Sequence, residues 1–507
     1  MFFRSLASLI AILIIPVLVV GQIIGVKTLP LITTRQFNLT PSYNAGMGGV
    51  SIALDDDLAD GFLNPARITH LDRNLLYLAP FRDSWRNNQV SDPWFRSPQS
   101  DSRTGPLEGS LVQGLPVGVI QHMKLVGGRI RLTMGLALSP EQLRHTSHRR
   151  QFWDPETGEW NDPLRMNVFN WPVSGVVAIR FPDKRLSVGV GVDDVMIRGV
   201  DGIPLLYPGA TKLIQKGHLT HYRLGASLNG PEEGRLDVLL LHKRYHMVQE
   251  AVYDWQANIQ NKDEEKSWLV QLKGRLPAED QAQVGLELTG QWKWHPKIPD
   301  YPAPEISIPR DPGITKAGRI GIGFSNRLGK FLAALDVFVE VIDSKTWGDT
   351  TAPVTADDGE VIKAGDPLFR NDYFFANAMV RLGIEYQLNE RLRVQGGWSA
   401  KQYSIDYDHE DFVTGETITA APQNWWKEPA LSAGIVAKIG QMEWIFHTSR
   451  KLGTGVPFQD TWAWPWGRWA FAEGIAYAAG DILVPPTGMD FQNAPVVMHR
   501  LTVVYWY

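Results

Sequence analysis

The stretch 129–138 reads RIRLTMGLAL. Ile130, Leu132, Met134, Leu136 and Leu138 alternate with Arg129, Arg131, Thr133, Gly135 and Ala137, so an extended chain sets a continuous apolar face opposite a polar or small one. The same period of two returns at 173–181, 186–192, 222–228, 284–294, 318–325, 382–388, 392–400, 431–439 and 442–448. In the run beginning at Gln283, the residues Val284, Leu286, Leu288, Trp292 and Trp294 share one face, and Gln283, Glu287, Gln291 and Lys293 the other. A soluble sandwich alternates too, so the connections carry the decision.

The connections come in two lengths that take turns along the chain. Short ones fall at 182–185, 229–234, 326–329 and 388–391; long ones fall near 139–167, 200–216, 295–315, 344–373, 408–427 and 451–495. A sandwich has no reason to gather its long loops at one end, whereas an outer-membrane barrel has short periplasmic turns and long extracellular loops. The reading is therefore all-β: a transmembrane antiparallel β-barrel of about 14–16 strands. The last strand agrees, with Leu501, Val503, Tyr505 and Tyr507 on one face and an aromatic residue at the end. It resembles the terminal strand that the barrel-assembly machinery recognises.

Residues 1–21 carry one cation, Arg4, then an apolar run from Leu6 to Val20, with Val19-Val20-Gly21 as small residues before Gln22. That is the pattern of a cleaved signal peptide, and an apolar run of about 15 residues is short for a spanning helix. With no Cys in 507 residues, a lipid-anchored amino terminus, disulfides and thiolate metal sites are excluded. A net charge of -4 without a basic stripe excludes nucleic acid as a partner. The 19 Trp and 14 Tyr fit aromatic rings placed at the headgroup level of a membrane. Mean hydropathy of -0.17 is too polar for a helical membrane protein and suits a barrel that is apolar outside and polar inside.

Before the first strands lies PSYNAGMGGVSIALDDDLADGFLNPARITH, residues 41–70. Gly46, Gly48 and Gly49 permit positive φ and close backbone approach; Pro65 pushes Asn64 out of the α region in the turn Asn64-Pro65-Ala66. Between them an apolar run, Val50 to Leu54, leads into Asp55, Asp56 and Asp57. The segment reads as a compact, sharply bent plug, giving three parts: signal peptide 1–21, plug 22–72 and barrel 73–507. A glycine-rich AGMGG, followed at this distance by acidic residues and then NPA, resembles the amino-terminal hatch of the FadL and PorV superfamily of outer-membrane barrels. The match is close over about thirty residues and extends to the rest only through the barrel pattern. The superfamily typically has 14 strands, while walking the pairing along this chain gives about 16.

The resemblance implies a place in the outer membrane of a Gram-negative-type bacterium and passive uptake of hydrophobic small molecules or lipids, with no cofactor. The solute would be caught among extracellular loops, pass beside the plug and leave sideways through a gap in the wall, with Gly46, Gly48, Gly49, Asn64, Pro65 and Ala66 setting the plug. Pro204-Leu205-Leu206-Tyr207 and Trp462-Ala463-Trp464-Pro465-Trp466 offer apolar loop surface for capture or for anchoring at the membrane interface. The alternative within the superfamily is a PorV-like barrel that binds or hands over secreted proteins.

On the inward face the alternation puts Arg129, Arg131, Arg180, Glu287, Lys293, Arg381, Glu385, Arg393, Gln395, Glu443, His447 and Arg500. Both signs are present, as buried charges require if they are to be paired, and the reading is a lumenal network that also holds the plug. Asp55, Asp56 and Asp57 are of a type that binds calcium, but their spacing is not that of an EF-hand, so they read as a solvated or Arg-paired turn and no metal is expected. His145, His148, Arg149 and Arg150 read as a solvated basic loop. No GxSxG, HExxH or phosphate loop occurs. The densest histidines, His218, His221, His242 and His246, lie on neighbouring strands that bring them together by geometry alone, so no enzyme is expected.

Overall fold

The computed structural model describes residues 40–507 apart from 88–107, 126–129, 148–152, 155–158, 161–163, 182–184, 201–211, 231–233, 255–256, 279–280, 296–312, 351, 421–424 and 452–495. The signal-peptide reading of 1–21, Arg129, the basic residues at 148–150 and the loops at 204–207 and 462–466 lie outside the described residues.

Among the described residues, sixteen antiparallel strands close into one barrel. Three are interrupted at a proline: β1 (Leu75–Leu78 and Phe81–Asn87), β2 (Glu108–Gly114 and Val117–Leu125) and β3 (Ile130–Leu138 and Glu141–Ser147). The others are β4 (Leu164–Phe181), β5 (Leu186–Val200), β6 (Lys212–Asn229), β7 (Arg235–Val252), β8 (Ile259–Pro277), β9 (Ala282–His295), β10 (Gly313–Leu328) and β11 (Phe331–Asp349). Then come β12 (Pro367–Asn389), β13 (Leu392–Asp411), β14 (Trp425–Ile439), β15 (Met442–Lys451) and β16 (Val496–Trp506). Each pairs with its neighbours in sequence, and β16 returns to β1 with Leu75 opposite Trp506 and Leu78 opposite Val503. Closure removes the sheet edges, so every strand finds its hydrogen bonds inside the sheet.

The period of two becomes inside and outside. On β3, Leu136 is 55 % exposed while Thr133 is fully buried. On β9, Val284, Leu286, Leu288, Trp292 and Trp294 are all exposed, and Glu287 and Lys293 are buried. Exposed apolar side chains continue around the wall through Val190, Leu224, Ile320, Leu382 and Leu431. A soluble protein rarely exposes more than a few hundred Å² of contiguous apolar surface. The band on β9 from Val284 to Trp294 runs ~34 Å along the strand, which at a tilt of about 40° spans ~26 Å, the height of a bilayer's apolar layer. Aromatic side chains mark both rims: Trp444, Tyr505 and Tyr507 near the short turns, Trp171, Trp268, Trp292 and Trp294 toward the far end, all exposed. Among the described residues no helix is long and apolar enough to cross a membrane. The barrel itself is the membrane-spanning element.

The strands outrun the alternating segments. β12 begins at Pro367 and β13 reaches Asp411, so the intervals 344–373 and 408–427 are partly ladder rather than loop. β7, β8 and β11 lie where no alternating segment stands out, yet β7 and β8 pair in continuous register and β11 pairs with β12 from Phe331 to Gly348 before the register shifts at Asp349. Above the membrane both faces of a strand meet water, so the ladder continues while the pattern that marks it fades.

Candidate functional site

Residues 40–71 fold into a plug at the short-turn end of the lumen. Ala45–Met47 form a 3-10 turn, and Gly48 and Gly49 both follow at φ 73°, where a Cβ is strained. Gly46 packs against Gly434 of β14 so closely that a Cβ would lie 2.8 Å from the Gly434 Cα. Ser432 Oγ fastens this loop by accepting from Gly48 N–H at 2.9 Å and donating to Gly46 C=O at 3.1 Å. A short helix, α1 (Asp57–Leu63), comes next, with Asp57 and Asp60 in its first turn, where the helix dipole favours acids. It stops at Asn64, held extended (φ -107°, ψ 107°) ahead of Pro65. Asn64 Oδ1 accepts from Ala66 N–H at 3.1 Å, and its amide donates to the Val238 carbonyl of β7 at 3.1 Å, so one side chain fixes the turn and ties it to the wall. Pro65–His70 complete the plug as a second 3-10 turn.

The centre of the plug is Arg67, 1 % exposed. Its guanidinium lies 2.9 Å from Asp55, 3.1 Å from Asp57, 3.4 Å from Asp60 and 3.8 Å from Asp237 of β7. The wall answers with cations of its own: Arg235 and Arg275 both grip Asp55, Arg235 reaches Asp237 at 3.0 Å, and Lys273 stands 3.5 Å from Asp60. Burial works against the charge of Arg67, and the surrounding acids more than offset it, raising its pKa. Burial alone would push the Asp55 carboxyl up, but Arg67, Arg235 and Arg275 hold it well below the usual carboxylate range. Asp57 touches only Arg67 and burial wins, pushing it up to about 6. His70 is depressed to about 3, first by burial and then by Arg67 and Arg235.

Around the other half of the barrel the seat is built from single side chains. Asp336 of β11, 1 % exposed, accepts from Ser51 N–H at 2.6 Å and Ile52 N–H at 3.3 Å. Arg381 donates to the Gly49 carbonyl at 2.9 Å, Gln395 to the Tyr43 carbonyl at 3.0 Å and Arg500 to the Thr40 carbonyl at 3.0 Å. Tyr43 donates its hydroxyl to Glu443 at 2.7 Å, and burial with that carboxylate raises its pKa well above normal. Glu443 pairs with Arg393 at 3.1 Å, Arg393 with Glu385 at 3.4 Å, and Glu385 accepts from Gln395 at 2.9 Å. Asp56 closes the plug on itself, accepting from Ser42 and from Tyr43 N–H.

Where the plug presses on the wall, the inward residue is glycine. A Cβ at Gly189 would lie 2.8 Å from the Pro65 backbone, at Gly285 2.7 Å from Ile52 and at Gly383 2.5 Å from the Met47 carbonyl. Gly225 faces Asn64, and Gly397 faces Gly48. Glycine within a strand often marks such a close backbone approach, and these five outline the footprint of the plug.

Glu287, Glu385, Arg393 and Glu443 all point inward, but only the last three meet near the plug; Glu287 pairs with Arg319 at 2.7 Å higher in the lumen. Arg131 donates to the Leu71 carbonyl beneath the plug. The central cation Arg67 and its partners Arg235, Asp237, Lys273 and Arg275 escaped the sequence reading. Their signal was the alternation of β7 and β8, whose inward sides carry these charges. The histidines divide between the faces: His221 is buried inside near Asp193, while His218, His242 and His246 point outward, with His242 stacked 4.1 Å from Trp268. Among the described residues no group of three or more His, Cys, Asp or Glu could hold a metal. Ser227 lies 3.2 Å from His70, yet its hydroxyl donates to Asp237 at 2.5 Å and is fully buried, which makes it a bond between wall and plug.

One side of the wall is thinned. Leu501 N–H donates to Pro80 C=O (3.1 Å), Ala79 to Pro116 (2.8 Å), Leu115 to Pro140 (3.1 Å) and Ser139 to Pro172 (2.9 Å). A proline has no N–H to return the bond, so one ladder bond is missing at each of four consecutive seams from β16–β1 to β3–β4. At this level a cavity of about 490 Å³ is lined both by Phe81 and Glu141, buried from the lumen side, and by Leu115, Phe169 and Trp171, exposed on the outside. Toward the far end the inward face carries apolar patches, Val195, Ile197, Leu219 and Tyr245 on one side and Phe338 and Ile342 on another.

No protein-family model matches the chain, and no curated protein does. Among solved structures it is similar to the TodX deltaS2S3 mutant monoaromatic hydrocarbon channel, at 11 % identity over 93 % of this chain and 99 % of that one, with a TM-score of 0.44. It is similar also to the Ralstonia pickettii toluene transporter TbuX (12 %, 93 % and 100 %, TM-score 0.40) and to a Pseudomonas aeruginosa FadL homologue (11 %, 92 % and 98 %, TM-score 0.37). The likeness is one of fold, spread over most of each chain.

Proposed function

We propose that this barrel, seated in the outer membrane with its short turns toward the periplasm, takes up hydrophobic small molecules passively and releases them sideways through the wall at the proline row. The observation that carries the reading is the cavity at that row, because residues from both faces of the wall line it where four ladder bonds are missing. A plug tied to the wall through ion pairs and backbone bonds obstructs the straight path to the short-turn end. The apolar inward patches above it give a hydrophobic solute a surface to follow. Gly46, Gly48, Gly49, Asn64, Pro65 and Ala66 set the position of the plug, and the charged residues of its seat keep it there. No step needs a catalytic group or a cofactor.

The test is uptake of a labelled hydrophobic solute by cells expressing the wild type or the variant Pro116→Ala/Pro140→Ala. Alanine can donate the missing bonds, so the variant should mend two seams and take up solute several-fold more slowly at equal surface level. Unchanged uptake would remove the wall from the route. Loss of a co-purifying secreted protein with uptake intact would favour the protein-binding alternative.

A further inference from the structure

Three cations stand side by side on the inward face at the short-turn end. Lys124 of β2 is the register partner of Arg131 of β3, and Arg131 of Arg180 of β4. Like charges directly opposite one another destabilise a sheet. On the far side of this end of the lumen the cations meet acids: Arg67, Arg235, Arg275 and Lys273 face Asp55, Asp57, Asp60 and Asp237. The row has no such match. Among the described residues its one ion pair is Arg131 with Asp72 at 3.7 Å, and the Asp72 side chain is 89 % exposed. Among the described residues no ion pair involves Lys124, Arg180 or Arg185.

The row lines a cavity of about 790 Å³ to which Arg73 and Arg185 also contribute, so among the described residues five cations meet one acidic side chain there. The cavity is held in shape. Arg73 stacks 4.9 Å over the Trp506 ring, its carbonyl bonds His122 at 3.0 Å, and Asn74 Oδ1 accepts from His122 N–H at 2.8 Å. Tyr507 borders the cavity, and beside it on the lipid face Met123, Leu125 and Tyr505 are exposed.

We propose that this cavity binds the phosphate of an anionic lipid headgroup whose chains lie against that apolar rim. A phosphate spreads its charge over several acceptor oxygens, so it can bridge neighbouring strands and relieve the repulsion along the row, and basic pockets at a membrane surface recognise such headgroups. The site lies apart from the wall opening and touches the plug only at its end, where Arg131 holds the Leu71 carbonyl, and it stands or falls independently of the solute-uptake reading.

The experiment is native mass spectrometry of the detergent-purified full chain with phosphatidylglycerol, phosphatidylcholine or inorganic phosphate at matched concentrations. Phosphatidylglycerol should be retained in preference to phosphatidylcholine, and Lys124→Gln/Arg180→Gln should weaken it about thirtyfold, the effect of two basic residues near an anionic headgroup. Those substitutions remove repulsion, so the barrel should form normally, as heat-modifiable migration will report. Asp72→Asn deletes the counter-charge and should tighten retention. Equal retention of the two lipids, or a double variant that binds as the wild type does, overturns the proposal. Inorganic phosphate binding as tightly as phosphatidylglycerol overturns its lipid half and leaves a free-anion site.

Discussion

Replacing Arg67 by Met removes the one guanidinium that four carboxylates share while keeping roughly its length and apolar stem. The side chain is 1 % exposed, and the acids around it stand 2.9 to 3.8 Å away. Deleting one partner of a buried ionic cluster costs about 3–5 kcal/mol, because the remaining charges are left uncompensated. At 1.4 kcal/mol per tenfold, the ratio of seated to unseated plug should fall by roughly 10²- to 4 × 10³-fold. The strands keep their own ladder bonds, so the barrel should still assemble. Planar bilayer conductance and swelling of liposomes in a small sugar should then rise, and trypsin should cut the plug in folded barrels. Arg67→Lys should fall between the two, since one ammonium cannot reach all four acids. A variant with wild-type conductance and protease protection would refute the view that this cluster seats the plug.

Three further outcomes follow from the geometry. Gly48→Val should loosen the plug in the same assays, because the site has φ 73° and a Cβ would meet the Leu382 and Trp398 carbonyls at 3.0 Å; sealed barrels would contradict this. His70 is depressed to about 3 in the folded protein against about 6.5 when exposed, so its contribution to stability is complete above pH 6.5 and is lost as pH falls from there toward 3. The melting midpoint of the wild type relative to His70→Gln should therefore drop between pH 7.5 and pH 5, and a pH-independent difference would show that His70 does not titrate this way. Deleting Tyr505 to Tyr507 removes the pairing of Leu75 and Leu76 with β16 and the stacked terminal rings, so barrel assembly should fail; normal heat-modifiable barrel would count against that role.

Much of this molecule was legible because lipid on one side and charge on the other force the simplest sequence pattern there is. RIRLTMGLAL could be assigned face by face from Arg131 onward, and Glu385, Arg393 and Glu443 fell on the lumen side where the ladder puts them. The plug's bends were legible too, because Gly48, Gly49 and Asn64-Pro65 carry backbone constraints of their own. What escaped was whatever depends on partners distant in sequence. Arg67 is one basic residue in a short turn until Asp55, Asp60 and Asp237 converge on it. Pro80, Pro116, Pro140 and Pro172 each read as a local break, and only the register of adjacent strands makes them a row. The helix Asp57–Leu63 is too short, and Gly61 within it too unfavourable, for periodicity to announce it.

The central claim is that solute leaves through the wall, and the absence of native Cys allows that to be tested by a reversible lock. Gln113 and Gln142 face outward across the β2–β3 seam at the edge of the cavity, their side chains 3.3 Å apart. In cells expressing Gln113→Cys/Gln142→Cys, uptake of a hydrophobic solute should fall several-fold when the pair is oxidised and recover on reduction, with each single variant unaffected. Equal uptake by the oxidised and reduced forms, with the cross-link verified by mass spectrometry, would contradict lateral release at this seam.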